Sequence, residues 1–202
     1  MSIWRGAHPL ILASQSRARQ MLLGNAGIAF AAVPAHIDER AIQQASGLTS
    51  PGEIAAMLAE RKAAFVSTRH PGRYVIGADQ TLALKTELFS KPTGRDEAAA
   101  QLRALAGKTH ELHSAIAVLC DGATLFSDVS VAHMTMRALD DAAIDAYLDA
   151  AGDAVATSVG AYQIEGLGVH LFELIEGDHF TILGLPMLPL LKFLRSDHMI
   201  AI

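Results

Sequence analysis

Short apolar runs bounded by turn residues alternate along this chain with alanine- and leucine-rich stretches of helical period, which predicts an α/β fold. Residues 9–13 read as a buried strand that stops at Ser14-Gln-Ser16, where a hydroxyl-rich turn opens a helix over 17–26. Residues 28–33 read as a second strand, and 35–40 as a loop carrying the adjacent acids Asp38 and Glu39. Ser50-Pro-Gly-Glu53 has the cap, the early proline and the acid of a helix start, and helical periodicity continues to about residue 66. After Pro71-Gly72, a strand over 74–84, a turn at 85–87 and a short strand at 88–89 precede a helix over 96–106 that stops at Gly107. Two long alternating segments, 109–119 and 124–136, flank Asp121-Gly122 and predict a hairpin. A helix over 140–150 follows. Residues 158–184 carry glycine at 160, 166, 168, 177 and 184 and read as loop and short strand, and a last helix covers 186–195. Strand–helix alternation together with a hairpin predicts one compact domain over 1–202 with a mixed parallel and antiparallel sheet.

With 202 residues, 51% of them apolar, the chain can bury a substantial core, and a disordered reading is excluded. The net charge of -5 argues against a nucleic acid or an anionic membrane as partner, because both require a broad cationic field. Any phosphate-binding charge must then be concentrated in one pocket. Cys120 is the only cysteine, so neither an intramolecular disulfide nor a paired-cysteine zinc site is expected, and a small core residue is the natural reading. Apolar runs are too short for a signal-peptide core or a bilayer span, which predicts a soluble, cytoplasmic protein. The apolar strands of the long hairpin offer a surface on which two copies could form a homodimer.

Asp79 is the most informative residue, an acid set against an apolar run and beside small residues in Val75-Ile-Gly-Ala-Asp-Gln80. A charge buried there without partners costs several kcal/mol, so it must be paired, metal-bound or held in a cleft. Four patches share this placement of polar residues at element ends: Ser14/Ser16/Arg19, Asp38/Glu39, Asp79/Gln80 with Lys91, and Gln163/Glu165. Between them they supply what hydrolysis of a phosphoanhydride needs: donors for charged oxygens, ligands for a divalent ion, and a base for water. Each patch also has an ordinary reading. Asp79 fits a turn at a strand end, Ser16 a helix cap, Arg19 a surface ion pair, and Lys91, Asp38/Glu39 and Glu165 solvated charges. His110 and His113 point to opposite faces of a strand and cannot readily share an ion.

Taken in order, the patches resemble the Maf family of nucleoside triphosphate pyrophosphatases over nearly the whole chain. The motifs are Leu10-Ile-Leu-Ala-Ser-Gln-Ser16 with Arg19, Asp38-Glu39, Ile76-Gly-Ala-Asp-Gln80, Lys91-Pro92, Gly160-Ala-Tyr-Gln-Ile-Glu-Gly166 and Gly184-Leu-Pro186. The resemblance implies an elongated mixed sheet flanked by helices with a cleft between two lobes, similar to inosine-triphosphate pyrophosphatases. It implies cleavage of a nucleotide to monophosphate and pyrophosphate with Mg²⁺ or Mn²⁺. Asp79 would be the general base and touch the metal, Glu39 would be the metal partner, and Ser14, Ser16, Arg19, Lys62 and Lys91 would bind the triphosphate. The chain departs from the family pattern at Arg17, in place of a proline, and at Ala18, Gln80 and Glu165, which the resemblance makes the determinants of substrate choice. Gln80 and Glu165 resemble the subgroup that acts on 7-methyl-GTP. The family's association with septum formation implies a second class of function, a nucleotide-binding regulator of division that does not need catalysis.

Overall fold

The computed structural model describes residues 3–202. In chain order its elements are β1 (Leu10–Leu12), α1 (Arg17–Asn25), β2 (Phe30–Ala32), α2 (Glu39–Ser46), α3 (Pro51–Ser67), β3 (Val75–Leu84), β4 (Glu87–Phe89), α4 (Arg95–Leu105), β5 (Thr109–Cys120), β6 (Ala123–Met136), α5 (Asp141–Ala151), β7 (Phe172–Glu176), α6 (His179–Ile182) and α7 (Met187–Ser196). The strands form one mixed sheet in the order β2-β1-β3-β5-β6-β7, with β4 paired to β3 outside that path. β1 runs parallel to β2 and to β3, so Leu12 stands beside Ala32 on one side and Ile76 on the other. β4 and β7 run antiparallel to β3 and β6. Asp121 and Gly122 both take positive φ, 49° and 78°, the geometry of the tight turn that matches strand twist and joins β5 to β6.

The chain forms two compact units. One comprises the chain up to Gln80, Ser114–Ser130 and His179–Ile202; the other comprises Thr81–His113 and Val131–Asp178. Strands β3, β5 and β6 therefore pass from one unit into the other. Among the described residues, no helix is long and apolar enough to cross a membrane.

In the first unit, α3 lays an alanine face on the sheet. Ala55, Ala59 and Ala63 recur every four residues and pack with Val66 against Ile11, Val75, Ala115, Ala117 and Leu119. Small side chains let the helix come close, and Gly77 on β3 is required by that approach. A Cβ at Gly77 would lie 1.9 Å from the Ala59 carbonyl oxygen and 2.7 Å from the Ala63 nitrogen. In the second unit the fully buried His110 of β5 meets Tyr162 Oη at 2.7 Å through Nε2. The Tyr162 ring stands edge-on to Phe172 with centroids 4.7 Å apart. Burial pushes the His110 imidazole down to about 4.

Four sequence readings need correction. Glu39 and Arg40, read as the end of a loop over 35–40, instead open a helix over 39–46, with Asp38 as its N-cap accepting from Ala41 N at 3.0 Å and Gly47 closing it at φ 68°. Residues 158–184, expected as loop and short strand, hold β7 but also the 3₁₀ stretches Val159–Ala161 and Leu167–Leu171 and the short α6. Asp79 lies in the middle of β3 rather than at a strand end, which removes the turn reading. Cys120, expected in the core, is only partly buried at the end of β5. Partial burial and the neighbouring Asp121 raise its thiol's pKa.

Gly77→Ala should lower unfolding stability by about 2–3 kcal/mol in urea, because the clash is with helix backbone that cannot rotate away. A variant that melts like the parent would refute the close approach. His110 gives a pH dependence of definite sign. Its folded-state value lies below the unfolded 6.5, so the unfolded chain binds more protons between about pH 6.5 and 4. Stability is expected to be full above that window and to fall as pH drops through it, by at most about 3 kcal/mol. Urea titrations of His110→Phe should lose that part of the slope.

Candidate active site

The junction between β1 and α1 is built from two serines and an arginine. Ser16 caps α1, its Oγ accepting from Arg19 N at 3.4 Å. Ser14 is buried, and its Oγ accepts from Ser16 N at 3.2 Å and from Arg19 Nη1 at 3.3 Å. A hydroxyl that accepts twice still has its own proton to donate. Arg19 does not pair with a surface acid. Its Nε donates to Gly184 O at 2.7 Å and its Nη1 to Ala78 O at 2.8 Å. Burial pulls the guanidinium below its usual pKa, and the charges of Asp79 and Glu39 oppose that.

Lys62 gathers the acids. Its Nζ donates to Asp79 Oδ1 at 2.6 Å and pairs with Glu39 Oε1 at 3.0 Å. The side chains of Lys62 and Asp79 are 10% and 9% exposed, against 48% for Glu39, so two members of the trio are inside and one is at the rim. Asp38, the other acid of the pair, is committed to capping α2. One lysine thus holds together side chains from three elements. Such a pair persists in a buried setting only when geometry and hydrogen bonds compensate the lost hydration, and 2.6 Å meets that requirement. Two carboxylates and a cation, with Oδ2 of Asp79 outside the lysine contact, can bind a cation or accept a proton.

Gln80, next along β3, points its amide nitrogen at Ser114 Oγ, Thr181 O and Ile182 O, at 2.8, 3.1 and 3.0 Å. Ala18 is half-buried on α1. Lys91 is exposed between β4 and α4, and Glu165 is exposed in the turn closed by Gly166 N donating to Gln163 O. Both belong to the second unit. The structure therefore unites Ser14, Ser16 and Arg19 in one hydrogen-bonded group and Glu39, Lys62 and Asp79 in another, and it leaves Lys91 and Glu165 outside both. Among the described residues there is no cluster of three or more metal-ligating side chains. Sequence reasoning missed Ser114 and understated Gly77. The one signal for Ser114 is weaker than that for Asp79, an uncharged polar residue at the head of the apolar run Ala115-Ile-Ala-Val-Leu119.

A family model for Maf-like proteins matches residues 9–197. The chain is 66% identical over 202 residues to a nucleoside triphosphate pyrophosphatase of Rhodopseudomonas palustris, covering 100% of both chains. It is 67% identical over 202 residues to one of Bradyrhizobium diazoefficiens, again covering 100% of both. It is also 52% identical over 191 residues to a 7-methyl-GTP pyrophosphatase of Brucella abortus, covering 93% of this chain and 96% of the relative.

Lys62→Met strands Asp79 without its cation and should cost about 3–5 kcal/mol in urea unfolding, whereas Asp79→Asn should cost less, since Lys62 keeps Glu39 and the amide oxygen still accepts. Equal losses would contradict the ranking.

Proposed function

The chain belongs to the Maf-like family, and from that premise we propose that it hydrolyses nucleoside triphosphates to the monophosphate and pyrophosphate in the cytoplasm. The observation that carries this reading is the buried Lys62–Asp79 contact at 2.6 Å with Glu39 on the same ammonium. Lys62 holds Oδ1, so Oδ2 is the oxygen with which Asp79 takes a proton from water. The water oxygen attacks the α-phosphorus, the bond from that phosphorus to the β-phosphate oxygen breaks, and pyrophosphate leaves with the electron pair. Ser14 donates its remaining proton to a phosphate oxygen, Ser16 adds a donor, and Arg19 reaches substrate through Nη2 because Nε and Nη1 are committed. Lys62 exchanges part of its contact with the acids for a phosphate oxygen.

The donor set fits a hard divalent cation. Glu39 and Asp79 are the residues that would hold Mg²⁺ or Mn²⁺. An ion of this kind takes one or two carboxylates and completes its shell with phosphate oxygens and water, so a third protein ligand is not needed. When bound it would neutralise charge that builds on the departing pyrophosphate.

For the base we favour 7-methyl-GTP or a related modified nucleotide. Support comes from the name of the Brucella relative and from the residue types at Gln80 and Glu165, with the small Ala18 on α1. An acceptor or acid suits the donor edge of guanine and the positive charge of its 7-methyl form.

The test is pyrophosphate release from 7-methyl-GTP, GTP, UTP and dTTP with Mg²⁺ and with Mn²⁺. Turnover is expected, with 7-methyl-GTP preferred, and Asp79→Asn should lower kcat by about 100-fold or more while nucleotide still binds. Silence across the panel would sink the reading. Unchanged turnover in Asp79→Asn would remove Asp79 from the chemistry, and a division phenotype that survives loss of turnover would favour a regulatory role.

A further inference from the structure

We propose that Ser114, a residue with no substrate contact of its own, is a positioning residue that fixes the Gln80 amide with Oε1 as the outward acceptor and so sets nucleobase selectivity. The inference rests on the reading of Gln80 as a base-facing residue.

The argument is a count of protons and lone pairs. Ser114 is fully buried, and its hydroxyl donates to Thr181 O at 2.6 Å. That hydroxyl has one proton, so towards Gln80 it can only accept, and Gln80 Nε2 stands 2.8 Å away. Thr181 O receives the Ser114 proton and also Gly184 N–H at 3.0 Å, which fills its two lone pairs. The second Gln80 proton therefore goes to Ile182 O at 3.0 Å, and the 3.1 Å approach to Thr181 O is a shared, weaker contact. Everything within reach of Nε2 is an acceptor. Rotating the amide by half a turn would set Oε1 against two carbonyl oxygens, and the single Ser114 proton could serve it only by leaving Thr181 O.

The orientation of the amide is thus dictated by its surroundings. Oε1 is held on the opposite side, where a Cβ built at Gly184 would lie 3.6 Å from it and 3.3 Å from Arg19 Nη2. Position 80 consequently presents an acceptor beside a cation, and a base that meets it must bring an N–H. Guanine offers N1–H and an amino group side by side, whereas uracil and thymine offer one N–H between two acceptors. A threonine there would be too short to reach the α6 carbonyls and Ser114 together. Selectivity then depends on Ser114 as well as on Gln80, because without its hydroxyl the amide has one fewer acceptor to hold it and Thr181 O loses its shortest donor.

The experiment measures kcat/KM for 7-methyl-GTP and for UTP in the parent, Ser114→Ala, Ser114→Cys, Gln80→Met and the Ser114→Ala/Gln80→Met double variant, with melting temperatures as a check on folding. The ratio of the two kcat/KM values is the readout, since general loosening lowers both substrates alike. Ser114→Ala is expected to reduce the ratio about fivefold, the size of one neutral hydrogen bond. Ser114→Cys, which keeps the shape of the buried slot with a weak donor, should fall in the same direction. The double variant should match Gln80→Met rather than the product of the two singles. If Gln80→Met changes the ratio and neither Ser114 variant does, the positioning role is overturned while the reading of Gln80 stands. If Gln80→Met leaves the ratio unchanged, that reading fails and this one fails with it.

Discussion

The close seating of α3 on β3 is the constraint on which the site depends. A lysine of ordinary length, rising from a helix, reaches an aspartate inside a strand at 2.6 Å only because helix and strand backbones nearly touch. Gly77 and the alanines at 55, 59 and 63 make that approach possible. The sequence feature that looks least chemical, a helix face of small residues, is what delivers the charged pair. A larger core side chain there would add apolar burial and leave Lys62 out of reach.

The polar interior is arranged so that no charge is left alone, and the arrangement separates two tasks. Lys62 compensates Asp79 inside and Glu39 at the rim. Arg19 does something different, since its bonds are to carbonyl oxygens of Ala78 and Gly184. It ties the strand carrying Asp79 to the segment after α6 while remaining a positive charge beside the acids. An arginine suits that work because its fork makes several directed bonds at once.

Much of this was legible in the chain. The helix at 51–67 announced itself by Ser50-Pro51 and an acid in its first turn, the hairpin by Asp121-Gly122, and the site by Asp79 in an apolar strand. Pairing was not legible. Lys62 sits one residue from Arg61 and two from Glu60, and no local rule says that it alone turns inward; only α3 docking through Ala59 and Ala63 decides that. The α2 helix was missed because it is only 8 residues long and buries none of them, even though Asp38 and Gly47 bracket it. Ser114 was missed because a serine in a strand carries no charge to make its burial conspicuous. The placement of Glu165 and Lys91 in the second unit is likewise a matter of tertiary contacts.

The interleaving of the two units has a consequence for how the molecule is made. The first unit is left at Gln80, re-entered at Ser114, left again at Ser130 and completed only from His179 onward. The carbonyls of Thr181, Ile182 and Gly184, which accept from Gln80 and Arg19, thus leave the ribosome about a hundred residues or more after the side chains they serve. Until then a nascent chain has Ala78 O and Ser14 Oγ for Arg19 and Ser114 Oγ for Gln80, and lacks their acceptors at residues 181–184. The site is therefore completed only once α6 has been made, so a chain truncated before α6 would keep Lys62 and Asp79 yet lack part of the set of partners that orients Arg19 and Gln80.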